Sequence, residues 1–229
     1  MTCLRAEALD VSFGMAPHRV RPLAGVSIEF SSGEVTLVRG PSGSGKSTLL
    51  AVLGGLLTPD HGRVFVGPTC LTTLAESDRA RFRMTHIGFV FQAFQLFETM
   101  TALENAALPL MMAGVAARPA RQRASELLDM LGLAARASAL PRQMSGGEQQ
   151  RVAIARALSC DPAVVLADEP TAALDGSAGR TVATLLQSAA RHLGKLVVVI
   201  SHDERLLGFS DRVIALSDGR VASDGRTAS

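Results

Sequence analysis

Gly40-Pro41-Ser42-Gly43-Ser44-Gly45-Lys46-Ser47-Thr48 is the stretch whose residue types and spacing are suited to chemistry on a phosphate. It follows the apolar run Val35-Thr36-Leu37-Val38 and leads into Leu49-Leu50-Ala51-Val52-Leu53, so it reads as strand, glycine loop and helix. Three glycines let the backbone curl until successive N–H groups point at one anion. The helix that follows offers its unsatisfied N–H groups and the positive end of its dipole. Lys46 is placed to reach the β- and γ-phosphates, and the Ser47 hydroxyl to bind Mg²⁺. Only Lys46 and Lys195 are lysines among 23 basic side chains. A chain that otherwise prefers arginine thus keeps a compact ammonium at the phosphate loop, where a forked guanidinium would fit poorly. Residues 40–48 are expected to bind a nucleoside triphosphate.

Two further features belong with that loop. Asp168-Glu169 ends the apolar run Ala163-Val164-Val165-Leu166-Ala167, at the end of a strand where open α/β sheets bind ligands. Asp168 is placed to hold Mg²⁺ directly or through water, and Glu169 to orient or deprotonate the attacking water. Ser145-Gly146-Gly147 opens the segment Glu148-Gln149-Gln150-Arg151-Val152-Ala153-Ile154-Ala155-Arg156-Ala157-Leu158, a second helix start suited to an anion. One ATP does not need two such cradles in one subunit, but a second copy of the chain could bring its own over the γ-phosphate.

With these motifs in order, the chain resembles the ATP-binding subunits of ABC transporters, and the resemblance spans nearly its whole length. It is most similar to the group that powers lipoprotein release and macrolide export, in stretches such as Leu71–Leu74, Ile87–Leu96 and Thr101–Asn105. The resemblance implies an ATPase acting with Mg²⁺, in which Ser145, Gly146 and Gly147 face the nucleotide of the opposite subunit of a homodimer. It also implies that Gln92 senses the γ-phosphate and Mg²⁺, that His202 contacts the γ-phosphate, and that Asp175 communicates across the dimer. Phe13 falls where the family stacks an aromatic ring on adenine. The implied partner is an integral membrane permease received near Gln92–Glu98, with the subunit peripheral on the cytoplasmic face of the membrane. A relative that signals through a membrane protein without moving cargo, as in cell division, is the alternative. Three departures stand out: Met144 replaces a common leucine, Glu148 adds an acid near a phosphate site, and Ala172-Ala173 replaces a usual small polar residue.

The elements that must position these groups follow from periodicity. Val26–Phe30 alternates at period two before a turn at Ser31-Ser32-Gly33, after an irregular stretch carrying Pro17 and Pro22. Thr58–Gly62 reads as a turn into the strand Arg63–Val66. Thr72–Thr85 reads as a charged helix whose Arg79, Arg81 and Arg83 form a solvated face. Ile87–Phe91 reads as a buried strand. Thr101–Met112 and Pro119–Leu131 read as helices, the latter with Ala120, Ala124, Leu127, Leu128 and Leu131 on one face. Ser177–His192, Leu196–Ile200 and a last strand, Arg212–Leu216, complete the chain before a turn at Asp218-Gly219. The expected fold is α/β, a P-loop NTPase core with a mainly parallel sheet, an N-terminal antiparallel β part and an inserted α-helical lobe. Residues 1–92 and 160–229 would form the nucleotide-binding core and 93–159 the lobe, all within one domain spanning 1–229.

Composition narrows the partners. A net charge of +2 is too close to neutral to imply nucleic acid, and 93–144 is too short for the long coiled coils of DNA-maintenance ATPases. A small-molecule kinase on the same loop would have no use for the Ser145 segment. Cys3, Cys70 and Cys160 are scattered, which suits a reducing cytoplasm without disulfides or a zinc site. No run reaches the ~18 apolar residues of a membrane span, and the opening residues, with Arg5, Glu7 and Asp10, are not expected to form a secretory h-region.

Overall fold

The computed structural model describes residues 2–14, 18 and 20–227; Pro17 lies outside them. The chain begins with the strands β1 (Cys3–Phe13), β2 (Val20–Ser31) and β3 (Val35–Arg39), then α1 (Lys46–Leu53). Strands β4 (His61–Val66) and β5 (Thr69–Cys70) precede α2 (Glu76–His86) and β6 (Ile87–Val90). Three helices follow, α3 (Ala102–Met112), α4 (Ala117–Met130) and α5 (Gly146–Leu158). The remainder is β7 (Val164–Asp168), α6 (Gly176–Arg191), β8 (Leu196–Ile200), a 3-10 turn over Glu204–Phe209, β9 (Arg212–Ser217) and β10 (Arg220–Arg226).

Among the described residues the strands make two sheets, an antiparallel one in the order β2-β1-β4-β5 and a larger one in the order β10-β9-β3-β8-β7-β6. The larger sheet is parallel except for β10 at its edge. Its middle strands are apolar throughout because they are covered on both faces. Alternation along them sends side chains to two cores. Leu37, Val165, Ala167, Val197 and Val199 pack with α3–α6, while Val38, Val164, Leu166, Val198 and Ile200 pack with α1 and the antiparallel sheet. The glycine loop between β3 and α1 therefore hangs from a strand that is fixed on both faces.

The face expected on α4 is buried: Ala120, Ala124, Leu127 and Leu128 have at most 1% exposure, and Leu131 beyond its end is also buried. Each of the two helical leucines is worth about 1.5–3 kcal/mol of apolar burial. Thr101 caps α3 in a reciprocal box with Glu104, which fixes where that helix starts.

Four local expectations are corrected. The strand Arg212–Leu216 is not the last. Asp218 and Gly219 have φ of +48° and +70°, a tight hairpin that returns the chain as β10. An Asp-Gly pair between extended runs is the signal for such a turn, but β10 is polar and mostly exposed, so it lacks the alternation that marks a strand. Thr72–Thr85 is not one helix, because extended backbone at Leu74 and Ala75 separates a 3-10 turn (Leu71–Thr73) from α2. Its arginines are not all solvated either. Arg79 bonds Thr58 Oγ1 at 2.8 Å and pairs with Glu76, and Arg83 bonds the Gly55 carbonyl at 2.6 Å. Only Arg81, its side chain 77% exposed, fits that description. Pro22, read as irregular, lies within β2.

Candidate active site

At the C-terminal edge of β3 the chain curls through Gly40–Gly45 into α1. Gly43 and Gly45 have φ of +80° and +98°. A Cβ at Gly45 would lie 2.0 Å from the Pro22 carbonyl oxygen, and one at Gly40 would lie 2.1 Å from that of Leu216. Only glycine fits there. Ser44 is buried inside the loop, where its carbonyl accepts the Gly219 N–H at 3.3 Å. Lys46 Nζ donates to the Gly40 and Pro41 carbonyls at 2.9 and 2.8 Å. No side chain caps α1 and its first turn holds no acid, so its N-terminal N–H groups and dipole are left for an anion.

Strand β7 delivers the acids. Asp168 Oδ1 accepts the Ser47 hydroxyl at 3.4 Å, and burial pushes the Asp168 carboxyl up from the ordinary range. Glu169 adopts φ +47° and its N–H bonds the Ile200 carbonyl at 2.8 Å. Its Oε2 accepts the Ser201 hydroxyl at 2.8 Å, and its Oε1 lies 2.7 Å from Nδ1 of His202, whose side chain is exposed. One open cavity of about 760 Å³ joins the loop to Phe13, Gln92, Asp168, Glu169 and His202. All of the loop's expected contacts line it except Ser44, whose side chain is turned inward. Ser47, Gln92 and Asp168 offer it oxygen donors of the kind a hard divalent cation takes. Among the described residues there is no cluster of three or more His, Cys, Asp or Glu that could hold a metal ion.

The sequence profile described as "ABC transporter" matches residues 23–172. The chain belongs to the ABC transporter family. It is 42% identical over 218 residues to the lipoprotein-releasing system ATP-binding protein LolD of Bacteroides fragilis, covering 95% of this chain and 99% of that one. An uncharacterized ABC transporter ATP-binding protein of Thermotoga maritima is 43% identical over 217 residues, covering 94% and 92%. Among solved structures it is similar to the ATP-binding cassette MJ0796 in a dimeric post-hydrolysis state bound to ADP and Pi. That similarity has a TM-score of 0.91 at 38% identity over 99% of both chains. As an ABC ATPase it binds and hydrolyses ATP to power a membrane transporter. No helix among its described residues is long and apolar enough to cross a membrane.

In this ABC ATPase the remaining expected residues lie elsewhere. Ser145, Gly146, Gly147 and Asp175 do not line the cavity. Ser145 caps α5, its hydroxyl accepting the Glu148 N–H at 3.2 Å. Asp175 caps α6, accepting the N–H groups of Ser177 and Ala178 at 2.9 and 2.8 Å. The two helix starts adjoin, since a Cβ at Gly147 would lie 2.9 Å from that of Ala178. Glu148 closes the capping box: its Oε2 accepts the Ser145 N–H at 2.8 Å, and Oε1 lies 3.0 Å from Arg136 Nε. The Ser145 N–H and the Arg136 guanidinium together hold its carboxyl below the usual range. The acid that departs from the common family residue is thus a helix cap already matched by a cation.

Sequence reasoning missed several side chains around this site. Ser201 holds Glu169, and Asp203 accepts the Thr171 hydroxyl at 2.7 Å. Neither has a motif of its own; adjacency to His202 is the only sequence signal. Arg156 of α5 donates to the carbonyls of Phe94 and Gln95, the latter two both in left-handed backbone (φ +58° and +53°). Gln95 and Arg156 line a second, more apolar groove of about 830 Å³, together with Leu56, Met84, Phe97 and Met112.

Proposed function

We propose that this chain hydrolyses Mg·ATP between two copies of itself and, through the opening and closing of that dimer, drives an integral membrane permease at the cytoplasmic face. The supporting observation is a split. The phosphate loop, Asp168, Glu169, Gln92 and His202 share one cavity, while the Ser145 cap lies outside it. One copy therefore holds most of the site and lacks the second anion cradle, which a head-to-tail partner supplies. The dimeric state of MJ0796 supports the same arrangement. ATP drives closure because it touches both copies when closed and one when open.

Within the site, the loop N–H groups and Lys46 bind the phosphates, Lys46 exchanging its two carbonyl partners for the ligand. Phe13, 48% exposed at the cavity, stacks on adenine. Ser47, Asp168 and Gln92 hold Mg²⁺, which supplies charge neutralisation on the phosphates when bound. Glu169 takes or orients the proton of the attacking water, and His202 steadies Glu169 and reaches the γ-phosphate. Asp175, at the adjoining helix start, contacts the partner copy. Residues 93–159 act as a lobe that carries the Ser145 cap. The groove around Phe97 receives a helix of the permease, which resembles those of lipoprotein-releasing systems in kind.

Mixed dimers test the arrangement. With Lys46→Ala in one copy and Ser145→Arg in the other, one composite site remains intact and about half of the activity is expected. Carrying both changes in the same copy damages both sites and should abolish turnover. Equal activity of the two pairings would sink the trans arrangement.

A further inference from the structure

Ser201 follows β8 directly and is fully buried, at 0% exposure. A hydroxyl cut off from water must find its partners in the protein. It has two: its oxygen accepts the Asp203 N–H at 3.1 Å, and its own proton goes to Glu169 Oε2 at 2.8 Å. The amide can only donate, so the direction runs from Asp203 N–H to Ser201 to Glu169. The other carboxylate oxygen, Oε1, meets His202, and His202 lines the cavity whereas Ser201 does not. Oε2 is thus turned into the protein and Oε1 toward the substrate side. Register explains the meeting. Asp168 lies opposite Ile200 across β7 and β8, so the next residue of each strand, Glu169 and Ser201, emerges beside the other.

We infer, on the reading that Glu169 handles the attacking water, that Ser201 is a positioning residue for hydrolysis. It holds Oε2 so that Oε1 keeps one orientation toward the γ-phosphate. Glu169 needs such a hold because its φ of +47° is a backbone conformation that side-chain-bearing residues adopt only when neighbours enforce it. The Ile200 carbonyl fixes its backbone and Ser201 fixes its carboxylate. A hydrogen bond of this length to a carboxylate is worth about a 10- to 100-fold effect when only the reacting geometry depends on it.

The test is steady-state ATP hydrolysis and nucleotide affinity of the purified full chain, wild type against Ser201→Ala, with the ATP analogue TNP-ATP as the binding probe. Expected are a kcat lowered about 10- to 100-fold, a KM and a TNP-ATP affinity within about twofold of wild type, and a melting temperature lowered by about 2–4 °C because the Asp203 N–H loses its acceptor. A purely structural role would lower stability while leaving kcat at the wild-type value below the melting temperature, or would move KM with kcat. Wild-type kcat in the alanine variant, or a parallel rise in KM, would overturn the assignment. Should that variant not fold, Ser201→Cys keeps the volume with a weaker donor; reduced kcat at wild-type melting supports the role, and wild-type kcat refutes it. Glu169→Gln is assayed alongside. Normal turnover there removes the role of Glu169 itself, whereas full activity of Ser201→Ala beside an inactive Glu169→Gln removes Ser201 alone.

Discussion

Asp203 ties the segment after Glu169 to the segment after His202, and its charge can be tested by pH. Thr171 Oγ1 donates to Oδ2 at 2.7 Å, Arg205 Nε lies 2.9 Å from both oxygens, and Arg205 Nη2 lies 2.7 Å from Oδ2. Burial alone would raise this carboxyl, but the bonds from Arg205 and Thr171 outweigh it and hold it at about 2 against an ordinary 3.8. The folded value lies below the unfolded one, so the stabilisation is fully present above the unfolded value and is lost as pH falls through about 2. The gap between 3.8 and about 2, at about 1.36 kcal/mol per pH unit, amounts to about 2.4 kcal/mol. The Arg205 side chain is 40% exposed, so solvent screening reduces the expected figure to about 1–1.5 kcal/mol. Asp203→Asn keeps the shape and an oxygen for Thr171 but removes the charge. Urea unfolding at pH 7 should show the variant less stable by that amount, with the difference falling to about half by pH 3. A variant as stable as wild type at pH 7, or a difference undiminished at pH 3, would refute the assignment.

Three further outcomes follow from the geometry. Gly45→Ala forces a Cβ against the Pro22 carbonyl at φ +98°, so it should cost at least about 1–2 kcal/mol and abolish nucleotide binding; calorimetric titration with ATP checks this. Glu148→Ala removes the acceptor for the Ser145 N–H and the partner of Arg136, a loss of about 1–2 kcal/mol. Glu148→Gln keeps the acceptor and should cost less, so equal losses in chemical denaturation would contradict the capping role. Phe97→Asp places a charge in the second groove at a residue 51% exposed; co-purification with the permease should be lost while ATP binding persists.

Much of the site was legible because its motifs are local. The loop needs glycine at Gly40 and Gly45 for steric reasons, and Asp168-Glu169 announce themselves by following an apolar strand. The α4 face was legible because five apolar residues recur at helical spacing. Polar elements were harder. Strand β10 is held by pairing with β9 rather than by a buried face, and α2 starts later than its charge pattern implies. The roles of Arg79, Arg83 and Arg156 depend on carbonyls and side chains distant in sequence.

What the sequence determined by itself was the set of local pieces, a glycine loop, two acids after an apolar strand and a second helix start, since each is written in contiguous residues. The tertiary structure decided which of them meet. Parallel pairing of β3, β8 and β7 brings the loop, Asp168, Glu169 and the Ser201-His202 pair to one edge, and leaves the Ser145 cap on another surface. Contacts such as Ser201 to Glu169 join strands far apart in the chain, and register across a sheet, which no local pattern encodes, is the physical reason they form.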